Sequence, residues 1–107
     1  MIRMSKKQSI DLKKMRSSAE AACHLMKALN HRDRLMLLCE ISQGERCVGE
    51  LEELLDIHQP MLSQHLTGLR VAKLVKTRRE GKQIFYSLGS KEALAVIEVL
   101  YQQFCKQ

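Results

Sequence analysis

Residues 58–88 read HQPMLSQHLTGLRVAKLVKTRREGKQIFYSL, a helical pattern that runs into two β-rich strings around a group of basic residues. Leu62, Leu66 and Leu69 fall on one side of a helix. The strings LVKTRRE and KQIFYSL, on either side of Gly81, have the composition of two strands joined by a tight turn. The stretch therefore predicts a helix followed directly by a β-hairpin.

The outer face of this predicted helix is small, polar and nearly uncharged. Ser63, Gln64 and Thr67 lie on it, and in the major groove of B-DNA such side chains can hydrogen-bond to base edges. The basic residues of the hairpin are suited to phosphates, which supply salt-sensitive affinity without sequence information. The predicted DNA contacts are Gln59, Ser63, Gln64, His65, Thr67 and Arg70 on the helix and Lys76, Arg78, Arg79 and Lys82 on the hairpin.

Two plainer interpretations of these residues stay open. A polar helix face is often only a solvated face, and basic residues often serve solubility alone. A two-helix unit, an uncharged hydrogen-bonding face and a basic hairpin occur together here, and this coincidence favours DNA binding. His65 flanks the buried stripe, where a hydrogen-bonded structural histidine is as good an interpretation as a DNA contact.

The chain before residue 58 predicts three helices. Residues 17–29 carry one apolar stripe, and Asn30 offers an N-cap for a second helix. The string RLMLLCEI (34–41) is apolar nearly all round, so this second helix should be central to the core. The string CVGELEELL (47–55) predicts a short third helix. Its inward residues are predicted to be Val48, Leu51, Leu54 and Leu55.

Two further signals complete the order of elements. Pro60 marks the start of the fourth helix, since proline is tolerated in a first turn, and the last helix starts near Ser90. The stripe of the last helix consists of Ala93, Val96, Ile97, Leu100, Tyr101 and Phe104. The predicted fold is mainly α with a small β-hairpin, in the order helix, helix, helix-turn-helix, hairpin, helix.

Charge and composition restrict the class of protein. The net charge of +6 over 107 residues is concentrated in the first sixteen residues and in residues 70–82, which suits a polyanion such as DNA. We expect residues 1–16 to form a basic, flexible arm and residues 17–107 to form one domain. No apolar run is long enough for a bilayer and no secretory signal is present, so a cytoplasmic protein without a membrane partner is expected.

At these residues the chain resembles the ArsR/SmtB family of winged-helix transcriptional repressors. The matching strings are ALNHRDRLMLL (28–38), VGEL (48–51) and LSQHLTGLRVAKLVKTRREGKQIFYSL (62–88). The resemblance implies a winged helix-turn-helix and a homodimer joined through the first and last helices, with two recognition helices on a pseudopalindromic operator. Arg32 stands where the family often has proline, and residues 58–60 stand where it often has serines. These departures affect individual base contacts and leave the fold expectation unchanged.

The metal sites frequent in the family are incomplete here. The family's Cys-Val-Cys string is Cys47-Val48-Gly49 in this chain, and residues 90–107 contain no His or Asp. Because a soft-metal site usually needs three or four converging Cys or His ligands, we predict no metal site and no cofactor. Metal sensing by zinc, arsenite or copper remains the alternative.

A different pair of thiols matches the reactive-sulfur branch of the family, the BigR, SqrR and HlyU type. Cys39 and Cys105 stand where that branch has its sensing pair, and the resemblance implies that persulfides link them through a disulfide or polysulfide bridge that releases DNA. Judged without the resemblance, Cys39 would be an ordinary core residue. Cys23 is expected to pack inside the first helix's stripe, with a reactive role near the last helix of the dimer left open, and Cys47 to be a relic of the lost metal string.

An enzyme with a cysteine nucleophile is disfavoured, because no cysteine follows a glycine-rich loop and no Cys-His-acid order stands out. An activator that displaces a silencer, as in HlyU, remains open, since the same winged helix can repress or relieve repression according to the position of its operator.

Overall fold

The computed structural model describes residues 11–106 as five helices and three strands. The helices are α1 (Leu12–Leu29), α2 (Arg32–Ser42), α3 (Val48–Leu55), α4 (Met61–Val71) and α5 (Lys91–Leu100), and the strands are β1 (Arg46–Cys47), β2 (Val75–Glu80) and β3 (Gln83–Leu88). A five-residue π-helical segment, Tyr101–Cys105, extends α5. This is the predicted winged helix-turn-helix. Among the helices described, none has the length and apolarity needed to span a membrane.

The sheet confirms the hairpin and adds a strand that was not predicted. Strands β2 and β3 pair antiparallel around Gly81, whose φ of 63° is the left-handed conformation that glycine adopts without strain. Strand β1 pairs with the other edge of β3, Arg46 opposite Tyr86 and Cys47 opposite Phe85. The hairpin is therefore joined through β1 to the residue that precedes α3.

The first helix begins earlier than predicted. Asp11 caps it by accepting a hydrogen bond from Lys13 N at 2.9 Å, so residues 12–16 of the expected flexible arm are helical. Residues 1–10 of that arm lie outside the described part of the chain.

The N-cap predicted for the second helix is wrong by one residue. His31 is the cap of α2, and its Nδ1 accepts a hydrogen bond from Asp33 N at 3.0 Å. Asn30 instead ends α1, where its N–H donates to Lys27 O.

The hydrophobic core lies where α2, α3, α4 and α5 meet. Its largest fully buried side chains are Leu37, Leu38, Ile41, Leu51, Leu62, Leu66 and Leu69, which confirms the central place of α2 and the inward stripe of α4. Leu54, predicted to face inward, is 59% exposed, because it lies on the outer side of the two-turn helix α3. Tyr101 and Phe104 are also exposed, so in the single chain the predicted stripe of the last helix is at least partly covered as far as Leu100 and uncovered beyond it.

Candidate DNA-reading surface and thiol cavity

The outer face of α4 carries the predicted reading residues. Ser63, Gln64, Thr67 and Arg70 are all exposed, as is Gln59 just before the helix. Gln59 Oε1 accepts hydrogen bonds from Ser63 N at 3.0 Å and from Ser63 Oγ at 2.6 Å. This contact occupies the amide oxygen of Gln59 and leaves its NH2 group as a donor. Gln59 and Ser63 thus form one hydrogen-bonding unit at the start of α4.

His65 does not belong to this face, although it was among the predicted DNA contacts. It is only 5% exposed, and its Nδ1 accepts a hydrogen bond from Arg34 Nε at 3.2 Å. Burial, His31 and Arg34 together lower the pKa of His65, which keeps the imidazole neutral. The alternative interpretation, a structural histidine packed between α2 and α4, describes His65 in this chain.

The wing, residues 75–88, presents four exposed cations, one of which is paired with carboxylates of the protein. Lys76, Arg79 and Lys82 are exposed. Arg78 donates to both carboxylate oxygens of Glu45, at 2.7 and 2.8 Å, and to Glu80 at 2.6 Å. These contacts raise the pKa of Arg78 and lower that of Glu45.

The charge of Arg78 is therefore balanced by two carboxylates in the free protein, and its phosphate contact stays a prediction. Its guanidinium also lies 4.6 Å from the centre of the Phe85 ring, on the same wing. Glu45 directly precedes β1, so this ion pair fastens the wing to the end of the α2–β1 connection. Arg78 holds the wing to this connection, whereas Lys76, Arg79 and Lys82 are exposed and have no carboxylate partner among the described residues.

Cys39 and Cys105 lie on the wall of one cavity. It has a volume of about 690 Å³ and is bounded by α2, α5 and the π-helical segment. Its apolar wall includes Leu35, Ile97 and Phe104. Cys39 is half-buried and Cys105 is exposed. Burial, the nearby Cys105 and Glu40 raise the pKa of the Cys39 thiol. The cavity thus holds two thiols that are distant in sequence, one of them biased towards its neutral form.

The other two cysteines have different surroundings. Cys47 is the N-cap of α3, and its backbone N–H donates to Glu50 Oε1 at 2.9 Å. Cys23 is exposed and borders an open groove of about 970 Å³ between α1, α2 and α5. The prediction that Cys23 packs inside the stripe of α1 is therefore wrong for the single chain, because that face of α1 is uncovered.

A cluster of three potential metal ligands was missed by the sequence analysis. One ring nitrogen of His31, one of His65 and a carboxylate oxygen of Asp33 all lie within 4.8 Å of one another. The two imidazole rings are 4.2 Å apart, centre to centre. His31 and Asp33 open α2 while His65 lies in α4, so no local sequence pattern unites them; only the packing of α2 against α4 does.

Comparison with known proteins identifies the family to which this architecture belongs. The family model described as "Bacterial regulatory protein, arsR family" matches residues 31–77. The biofilm growth-associated repressor of Agrobacterium fabrum is 53% identical over 96 residues, which cover 90% of this chain and 82% of that protein. The transcriptional activator HlyU of Vibrio cholerae is 40% identical over 97 residues, 91% of this chain and 90% of that one.

Solved structures of related proteins match the whole fold. Reduced HlyU from Vibrio cholerae superimposes with a TM-score of 0.84 at 40% identity, covering 88% of this chain and 99% of that chain. The transcriptional repressor BigR from Xylella fastidiosa superimposes with a TM-score of 0.83 at 44% identity, covering 92% of this chain and 100% of that one. These relatives are transcription regulators rather than enzymes, as the sequence predicts for this chain. The chain is a DNA-binding transcription regulator that belongs to the ArsR family.

Proposed function

We propose that this protein is an operator-binding repressor that reads bases with α4 and grips phosphates with the wing. The observation that carries the proposal is the exposed, uncharged hydrogen-bonding face of α4 beside a wing with exposed cations. The base-reading residues are Gln59, Ser63, Gln64, Thr67 and Arg70, and the phosphate contacts are Lys76, Arg79 and Lys82. Repression is favoured over activation by the 53% identical relative, which is a repressor, whereas the activator is 40% identical.

The operator-bound form is proposed to be a homodimer joined through α1 and the C-terminal helix. This is supported by apolar side chains that remain exposed in the single chain: Leu12, Met15 and Met26 on α1, and Val99, Tyr101 and Phe104 at the other end. Several large apolar side chains left exposed on two helices are typical of an interface. A two-fold dimer would present two α4 helices to successive major grooves, ~34 Å apart.

Release from the operator is proposed to follow a sulfur bridge between Cys39 and Cys105. This is supported by the cavity that both residues line. A thiolate of the pair attacks the outer sulfur of a persulfide R–S–SH, which leaves a protein persulfide and expels RS⁻. The second thiolate then attacks the inner sulfur of that persulfide and expels HS⁻, which leaves a disulfide. If both thiols carry a persulfide, the same attack leaves a trisulfide and HS⁻.

The bridge would act on DNA by changing the dimer. It fixes α2 against the end of α5, and α5 belongs to the proposed dimer interface, so the separation of the two α4 helices changes with it. A coupling of ~1–3 kcal/mol is typical of allosteric proteins and corresponds to a change in affinity of about 5- to 150-fold.

The proposal is tested by operator binding with and without a persulfide donor. Fluorescence anisotropy on a labelled operator fragment should show tight binding by the reduced wild type and by Cys39→Ser and Cys105→Ser. After treatment with glutathione persulfide, the wild-type affinity should fall by about 5- to 150-fold, and neither variant should respond. Cys47→Ser is the matched control and should respond like the wild type. Equal release of the wild type and both sensing-thiol variants would disprove the switch.

A further inference from the structure

His31, Asp33 and His65 form a compact group apart from the exposed face of α4, and His31 also lines the edge of the thiol cavity. Their ligand atoms lie within 4.8 Å of one another. His65 is 5% exposed, and its Nε2 has no hydrogen-bond partner among the residues described. Buried polar atoms are nearly always paired, so an orphaned imidazole nitrogen needs an explanation.

We propose that these three residues bind a divalent transition-metal ion such as Zn²⁺. Two imidazoles and one carboxylate are a ligand set suited to zinc, with ligand distances of about 2.0–2.2 Å and one position left for water. His31 is exposed and Asp33 is half-buried, so an ion can reach the group from solvent. The site is separate from the Cys-Val-Gly string and from the last helix, the two places where metal ligands are frequent in the family.

The hydrogen bonds of the metal-free protein oppose binding and so limit the affinity. Arg34 Nε donates to His65 Nδ1, which leaves Nε2 as the nitrogen available to a ligand. When Nε2 binds the ion, the proton of the neutral ring must move to Nδ1, and Arg34 has to turn away because two donors would then face each other. Arg34 is therefore a built-in competitor of the metal.

At His31, as at His65, Nδ1 accepts a hydrogen bond that metal binding would break. His31 Nδ1 accepts from Asp33 N as the cap of α2, so ligation through Nε2 moves the proton to Nδ1 and releases the cap. What favours the ion is the buried, unpaired Nε2 of His65 and the carboxylate of Asp33, whose other contact is the exposed guanidinium of Arg32 at 3.2 Å. A bound ion would tie the first turn of α2 to the middle of α4, the helix that reads DNA.

Titration of the reduced full-length chain with Co²⁺ tests the site, because Co²⁺ replaces Zn²⁺ and absorbs visible light when four-coordinate. We expect binding of about one ion per chain, without the thiolate-to-cobalt charge-transfer band that cysteine ligands would produce. His31→Asn should weaken binding by at least about 10-fold, although asparagine can still cap α2. Asp33→Asn should weaken it similarly. His24→Asn, an exposed histidine on α1, is the control and should bind like the wild type.

The Arg34→Leu variant is expected to bind Co²⁺ more tightly than the wild type, in contrast to the ligand variants. Removing the competing guanidinium should tighten Co²⁺ binding severalfold, and circular dichroism should establish that the variant is folded. If Arg34→Leu does not fold, the comparison of His31→Asn with His24→Asn still decides. No saturable Co²⁺ uptake by the wild type, equal affinity of the wild type and His31→Asn, or a thiolate charge-transfer band on binding would each overturn the proposal.

Discussion

Cys39 and Cys105 share a cavity but differ in burial. Cys39 is half-buried, and its burial, the adjacent Cys105 and Glu40 raise the pKa of its thiol, whereas Cys105 is exposed. The thiolate is the nucleophile in sulfur exchange, so a thiol with a raised pKa reacts slowly at neutral pH. We therefore expect Cys105 to accept sulfur from a persulfide first and Cys39 to close the bridge.

Timed alkylation and intact mass spectrometry can test this order. Cys39→Ser should accumulate a persulfide on Cys105 at nearly the wild-type initial rate, while Cys105→Ser should react several times more slowly through Cys39. The difference between the initial rates of the two variants should become smaller as the pH rises through the pKa of Cys39, because the thiolate fraction of Cys39 then approaches one. If both variants react at the same initial rate at neutral pH, the assignment of roles is wrong.

At the scale of elements, Arg34 connects α2 to α4. Its guanidinium donates to His65 Nδ1 and to Ala28 O at 3.3 Å. It also lies so close to Gly68 that a Cβ atom there would overlap it. Gly49 in α3, by contrast, has open space where a Cβ atom would stand. The two helical glycines therefore allow a matched comparison.

Alanine should have different effects at these two glycines. Gly49→Ala is expected to raise the free energy of unfolding by about 0.5–1 kcal/mol, because alanine has the higher helix propensity. Gly68→Ala gains the same propensity but displaces Arg34 from two hydrogen bonds, each worth about 1 kcal/mol. Its free energy of unfolding should therefore be about 1–2 kcal/mol below that of Gly49→Ala. Urea denaturation measures the free energy of unfolding of both variants. An equal increase in the two variants would contradict the role given to Arg34.

The helices and strands that the sequence could predict are those whose apolar residues recur at helical or strand spacing over many positions. Helix α4 and the hairpin were predicted to within a residue or so, because their leucine spacing and β-rich strings extend over many positions. Strand β1 has two residues, too few for any alternation to show. Helix α1 was predicted to begin late because Lys13, Lys14 and Arg16 interrupt its apolar residues, as they would in a solvated arm.

The site was predictable to the extent that it lies on one element. The polar face of α4 follows from helical spacing alone, whereas the burial of His65 depends on Arg34, which approaches from α2. The engagement of Arg78 depends on Glu45, far away in the chain. Contacts of this kind arise from tertiary packing, and local pattern carries no information about them.

At the scale of the whole molecule, the uncovered face of α1 is the feature that needs a partner. The open groove beside it is lined by Met26, Val96 and Leu100, and Met26 is 64% exposed. Apolar side chains in this setting stabilise a protein only when a second surface removes them from water. In the proposed homodimer the second copy would do so, and the spacing of the two α4 helices would be set by that contact.

Met26→Glu should therefore separate the dimer, because two carboxylates would be forced into an apolar interface without partners. Sedimentation equilibrium at micromolar concentration should give a monomer mass, with unchanged helical circular dichroism. Operator affinity should fall towards that of a single half-site, since the second α4 helix would be lost. Leu54→Glu is the control, because Leu54 is 59% exposed on α3, away from α1 and α5, and should remain dimeric. A folded Met26→Glu variant that stays dimeric would place the interface elsewhere, and the sulfur bridge would then lack its proposed route to the DNA-reading helices.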